Sequence, residues 1–170
     1  MDIKRSWSIG KILKEVVTFL VMLFLISTAI NYIRAPKLDS KKLPDIKGKL
    51  IDGSYFDSKS FAKKPLMINF WGTWCPVCKQ EAGNIARVSK SYNVLTIAVN
   101  SGSDKEIANW LKKEGVEYPV LNDRSGKLAS QFRVNLFPTT FIYDSNGKLK
   151  FTESGYSTTA GLMARMKLAQ

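Results

Sequence analysis

Apolar residues fall into three kinds of run along this chain, and their spacing predicts the elements. Residues 16–33 are apolar apart from Thr18, Ser27, Thr28, Asn31 and Tyr32, and are bracketed by Glu15 and Arg34. About 18 residues is enough to cross a bilayer core as a helix. Residues 65–71 and 94–99 are shorter, nearly continuous apolar stretches, as in strands covered on both faces. Elsewhere apolar positions recur at helical spacing. Ala82, Ile85, Ala86 and Val88 predict a helix over 79–92. Ile107, Trp110 and Leu111 predict another, started by the capping box Ser103-Asp104-Lys105-Glu106 and ended by Gly115. Leu162, Met163 and Met166 predict a closing helix over 158–168.

Weaker signals fill the gaps. Residues 48–56 suggest a hairpin turning at Asp52-Gly53-Ser54. Residues 118–121 read as a short strand, and Leu128, Ala129 and Phe132 as a short helix. Residues 139–143 and 148–153 read as a hairpin around Asp144-Ser145-Asn146-Gly147. Strands alternating with helices and ending in a hairpin predict an α/β sandwich with a mixed central sheet. The expected domains are a short cytoplasmic tail (1–15), a signal-anchor transmembrane helix (16–34), a polar linker (35–43) and one globular domain (44–170). The apolar heart 19–26, followed by Ser27-Thr28-Ala29, also fits a cleaved export signal.

Composition narrows the chemistry. At 170 residues the chain supports one full core plus a small extra element. Its net charge of +12 is spread along the chain, with no clustered stripe or module of the kind that grips nucleic acid. The chain has no histidine, which removes Cys-His and Ser-His-Asp catalysis, histidine-ligated metal sites and histidine pH switching.

The two cysteines, Cys75 and Cys78, are the only ones present. A strand-like run precedes them and a helix-competent stretch follows. That context sets Cys75 at a helix start, where free backbone N–H groups and the helix dipole favour a thiolate, with Pro76 at the first helical position. A structural disulfide would close almost no loop here. Zinc would need ligands from another chain. A thiolate with a second thiol one turn on is suited to disulfide exchange. Copper(I) held by the same two sulfurs is the competing reading. Glu81, three residues after Cys78, is either a solvated surface carboxylate or a proton acceptor for that thiol. Disulfide targets persist outside the cytoplasm, so the domain is expected on the exported side.

Phe70-Trp71-Gly72-Thr73-Trp74-Cys75-Pro76-Val77-Cys78-Lys79-Gln80-Glu81 resembles the active-site segment of membrane-tethered, periplasmic thioredoxin-like proteins. Phe137-Pro138-Thr139-Thr140-Phe141 resembles their cis-proline loop. Within that group the likeness is closest to the membrane thioredoxins of copper-sensitivity suppression. It rests on the Pro-Val dipeptide, 99–104, 119–123 and Gly155-Tyr156-Ser157. The resemblance implies a three-layer thioredoxin-like sandwich, a catalytic set of Cys75, Cys78, Glu81 and Pro138, and substrate contacts at Trp74, Pro76, Val77, Phe137 and Thr139. It implies no cofactor beyond a redox-active Cys75–Cys78 disulfide. The expected partners are envelope proteins with thiols or disulfides, a transmembrane dithiol electron donor and the bacterial inner membrane. Two departures stand out. Asn69 occupies the place of thioredoxin's buried aspartate, and Leu136-Phe137-Pro138-Thr139 differs from the loop of the cytochrome-maturation branch. Gly72 stands where a peroxiredoxin has Thr or Ser. With Val77 between the sulfurs and no histidine to hold a thiolate, reduction or isomerisation is expected over oxidation.

Overall fold

The computed structural model describes residues 9–34, 36, 38–61 and 63–170. Lys4 and Arg5 of the expected tail, and Ala35 and Lys37 of the expected linker, lie outside these. The chain divides into two compact units, residues 1–34 and 35–170.

The first unit is one helix, α1 (Ile9–Arg34), which begins within the segment expected as a tail. Its stretch Gly10–Ile30 is long and apolar enough to cross a membrane. Twenty-one residues rise about 31 Å, close to the thickness of a bilayer core. The hydroxyls of Thr18 and Thr28 donate back to the carbonyls of Lys14 and Phe24, each at 2.8 Å. These polar groups are thus satisfied within the helix, as an apolar solvent requires.

The second unit is a three-layer sandwich. A small antiparallel hairpin, β1 (Lys47–Lys49) and β2 (Tyr55–Asp57), precedes the main sheet. Then follow β3 (Leu66–Trp71), α2 (Pro76–Ser89), β4 (Asn93–Val99), α3 (Asp104–Glu114), β5 (Val120–Asp123), α4 (Lys127–Gln131), β6 (Thr139–Tyr143), β7 (Leu149–Ser154) and α5 (Thr159–Leu168). The five-stranded sheet runs β5-β4-β3-β6-β7. β3, β4 and β5 are parallel neighbours; β6 and β7 are antiparallel. β3 is buried along its whole length, and its alternating side chains serve two cores. Leu66, Ile68 and Phe70 pack with Phe132, Phe141 and the hairpin's Phe56. Met67 and Trp71 pack with Ile85 and Val88 of α2, Ile107 of α3, and Leu162 and Met166 of α5.

Three expectations change at the boundaries. The active-site helix starts at Pro76 and stops at Ser89, because Cys75 caps it and the chain must turn to enter β4 at Asn93. The third parallel strand starts two residues later than expected, at Val120, where pairing with Thr96 begins. The segment read as a linker is partly folded. Leu149 N–H donates to Lys41 O (2.6 Å) and Leu43 N–H to Gly147 O (2.7 Å), which pins residues 41–43 beside β7. At the opposite edge, Ile51 N–H donates to Val120 O (3.0 Å), so the hairpin covers β5. The hairpin thereby covers one sheet edge at Val120 and Leu121, and residues 41–43 cover the start of the other at Leu149.

Candidate active site

Cys75 and Cys78 are joined in a disulfide, with Cα atoms 5.2 Å apart. Cys75 is the N-cap of α2, with extended backbone (φ −95°, ψ 111°), and Pro76 occupies the first turn. The Cys75 sulfur accepts the backbone N–H of Cys78 at 3.1 Å. One of the helix's orphan donors is thus aimed at the atom that becomes a thiolate on reduction. The two cysteines are almost equally covered, 5% and 3% exposed.

The approach to Cys75 is braced from β4. Ser101 Oγ accepts the Thr73 N–H (3.1 Å) and donates to Val99 O (3.0 Å), which also accepts Trp74 Nε1 (3.1 Å). The indole leaves no room for a side chain at Gly72: a Cβ there would lie 2.6 Å from Trp74 Nε1. Trp74 remains 54% exposed, and its ring meets Phe137 edge-on at 5.2 Å. The loop after Arg133 therefore lies beside the cysteines. The Phe137-Pro138 bond is cis, and the buried Pro138 offers its carbonyl to Gly155 N–H at 2.8 Å. Pro76 and Val77 are exposed next to Trp74. Trp71, by contrast, is core, packed against Trp110 and Tyr118.

Thr139 corrects an expectation. Its side chain is fully buried, and its hydroxyl donates to Leu136 O at 2.8 Å, while its backbone sits between Phe70 and Ser154 in the sheet. Its hydroxyl holds the loop's shape from inside the sheet.

Glu81 is no surface carboxylate. It is 1% exposed, on the buried face of α2 one turn beyond Cys78. One oxygen accepts Ser157 N–H at 2.7 Å and the other Asn69 Nδ2 at 3.2 Å. Burial raises its pKa from 4.5 to about 7, against the opposing pull of those two donors. Tyr118 is pushed up as well, first by burial and then by the Glu81 charge. Asn69 also donates to Thr140 Oγ1 at 2.9 Å, so β3 and β6 together fix the carboxylate. One further turn along α2, Asn84 donates to Tyr156 OH (3.0 Å) and Ser157 O (2.9 Å) and accepts from Thr159 Oγ1 (2.9 Å). Sequence reasoning missed Asn84, Ser101, Thr140 and Ser157, each of which has a partner 28 to 76 residues distant. The usable signal was Asn84 following Glu81 by three residues on a helix whose inner face is otherwise apolar.

Once reduced, Cys75 and Cys78 are the soft ligands open to copper(I). Among the described residues no group of three or more His, Cys, Asp or Glu side chains is placed to hold a metal.

The family model for Redoxin matches residues 38–165. Over 167 residues, 95% of this chain and 97% of the relative, the chain is 26% identical to a thioredoxin-like protein of Haemophilus influenzae. It is 34% identical over 130 residues to the thiol-disulfide oxidoreductase ResA of Bacillus subtilis, covering 74% of this chain and 70% of that one. A thiol:disulfide interchange protein of the thioredoxin family from Chlorobium tepidum superposes with a TM-score of 0.69 at 27% identity. That match covers 78% of this chain and 98% of the other. A Cys-Pro-Val-Cys disulfide capping a helix beside a cis-proline loop is thus the site of a thioredoxin-like thiol-disulfide oxidoreductase, and the chain belongs to the redoxin family.

Proposed function

We propose that this chain is a membrane-tethered reductase of disulfides in envelope proteins, with Cys75 as nucleophile and Cys78 as resolving thiol. The carrying observation is Cys75 at the N-cap of α2, its sulfur accepting the Cys78 N–H. A negative sulfur there meets a donor and the positive end of the helix dipole. The Cys75 thiolate attacks one sulfur of a target disulfide. The target's S–S bond breaks, a mixed disulfide forms, and the expelled target thiolate takes a proton. Glu81, one turn from Cys78 and titrating about pH 7, accepts the Cys78 proton. The Cys78 thiolate then attacks Cys75, forming the intramolecular disulfide and releasing the target as a dithiol. Two electrons have moved to the target, and a donor dithiol must return the Cys75–Cys78 disulfide to its reduced form. A transmembrane dithiol protein fits that task.

The remaining supports are local. Val77 lends a Cys75 thiolate no charge or hydrogen bond, which favours the reducing direction. The N–H and C=O of Phe137 have no backbone partner among the described residues, and Trp74, Val77, Leu136 and Tyr156 are exposed. An extended peptide can add to Phe137 as a strand, with its side chains on those four residues. Helix α1 supplies the anchor, at the bacterial inner membrane with the catalytic domain in the periplasm. The likeness to the copper-sensitivity branch extends the role to envelope thiols oxidised under copper stress.

Cys78→Ser tests the reading. It should accumulate mixed disulfides between Cys75 and envelope proteins, and the wild-type pair should be found mostly reduced in cells. A variant that traps nothing, together with tight copper(I) binding by the wild-type dithiol, would assign the two sulfurs to metal instead. A pair found mostly oxidised would reverse the direction.

A further inference from the structure

Strand register gives the second unit two poles. β3 and β4 end at Trp71 and Val99, the pole that carries the cysteines and the cis-proline loop. At the other, Leu66 pairs with both Asn93 and Tyr143. The start of β3, the end of α2 and the 144–147 turn therefore lie together, about 20 Å from the disulfide end by the six-residue length of β3.

Six lysines crowd this second pole: Lys41, Lys42, Lys63, Lys64, Lys90 and Lys148. All are exposed, and none has an ion-pair partner among the described residues. Lys63 and Lys64 line a cleft of about 340 Å³ with Leu43 and Gly147. Lys64 and Lys90 line a second of about 410 Å³. Lys42 bridges to Lys148 across the pinned segment. The acidic side chains of the first cleft, Asp45 and Asp144, are already engaged by Lys59 (3.0 Å) and Lys150 (3.9 Å). Residues 41–43 are bonded to Gly147 and Leu149 at this pole.

We infer that this lysine pole docks on the anionic headgroup surface of the membrane and presents the disulfide away from the bilayer. The inference rests on the anchor reading of α1. Unneutralised like charges clustered on a domain that an anchor holds at a bilayer are what the negative surface potential of acidic lipids attracts.

The test uses the full chain in vesicles of phosphatidylglycerol and phosphatidylcholine, against phosphatidylcholine alone. An amine-reactive acylating reagent is applied and each lysine is read by mass spectrometry. Labelling of Lys63, Lys64, Lys90 and Lys148 should fall about threefold or more with the anionic lipid. It should recover near 1 M salt, where the screening length is about 3 Å. Lys105, at the start of α3 near the cysteine pole, should not change. A Lys63→Glu/Lys64→Glu/Lys148→Glu variant should lose the difference at Lys41 and Lys90 while still exchanging disulfides in neutral vesicles. Equal labelling in both lipids, with the chain floating on both, overturns the docking surface and leaves the anchor standing. A chain that floats with neither vesicle overturns the anchor and the surface together.

Discussion

Replacing Glu81 with Gln should flatten the pH dependence of stability by an amount the structure sets. Burial lifts the Glu81 carboxyl from 4.5 to about 7 in the fold. At about 1.4 kcal/mol per tenfold change in proton affinity, holding it ionised costs the fold about 3 kcal/mol. The folded state binds the proton more tightly than the unfolded chain. This group's contribution is therefore most favourable below pH 4.5, declines as pH rises toward 7, and is level above that. Gln keeps an acceptor for Ser157 N–H but has nothing to ionise. Its hydrogen-bond losses at Asn69 are independent of pH, so they shift the whole profile without changing its slope. Urea unfolding of the oxidised fragment from Pro36 onward, followed by tryptophan fluorescence, measures both profiles. Between about pH 5 and pH 8 the wild type should lose about 2–3 kcal/mol more than Glu81→Gln. Parallel profiles would refute the reasoning: Glu81 would then be solvated or paired, and unfit to take a proton from Cys78 near neutrality.

Three other substitutions probe the same frame. Gly72→Ala would put a methyl 2.6 Å from Trp74 Nε1, displacing the indole from Val99 O and Phe137. It should cost about 1–2 kcal/mol and raise KM for a disulfide peptide more than it lowers kcat, as read from turnover assays. Thr140→Val removes one acceptor from the buried Asn69 amide; a loss of about 1–2 kcal/mol in urea unfolding is expected, with the Cys78 thiol titration shifted because Asn69 holds Glu81. Asn84→Ala breaks the ties from α2 to the 156–159 loop. It should cost about 2–3 kcal/mol and raise amide hydrogen exchange at Ser157, without abolishing disulfide exchange.

Much of the site was legible because its signals are local. A cysteine before Pro76, between an apolar strand and an amphipathic helix, has few conformations open to it, and the N-cap follows. The Ser103 capping box and the αL stop at Gly115 were legible for the same reason. Glu81 was ambiguous because periodicity places it on α2 but does not say what packs there. Thr139 was misread because the strand that begins at it draws its side chain inward.

The amino-acid sequence alone determined the element types, the apolar first helix, the chemistry of the cysteine pair and the exclusion of histidine catalysis. Each follows from residue identity and short-range spacing, where backbone sterics and capping dominate. Tertiary structure decided the rest: that Glu81 is buried and carries a raised pKa, that Asn69, Thr140 and Ser157 hold it, and that six lysines share the pole opposite the disulfide. Those facts depend on desolvation and on contacts between distant segments, which arise only when the sheet brings them together.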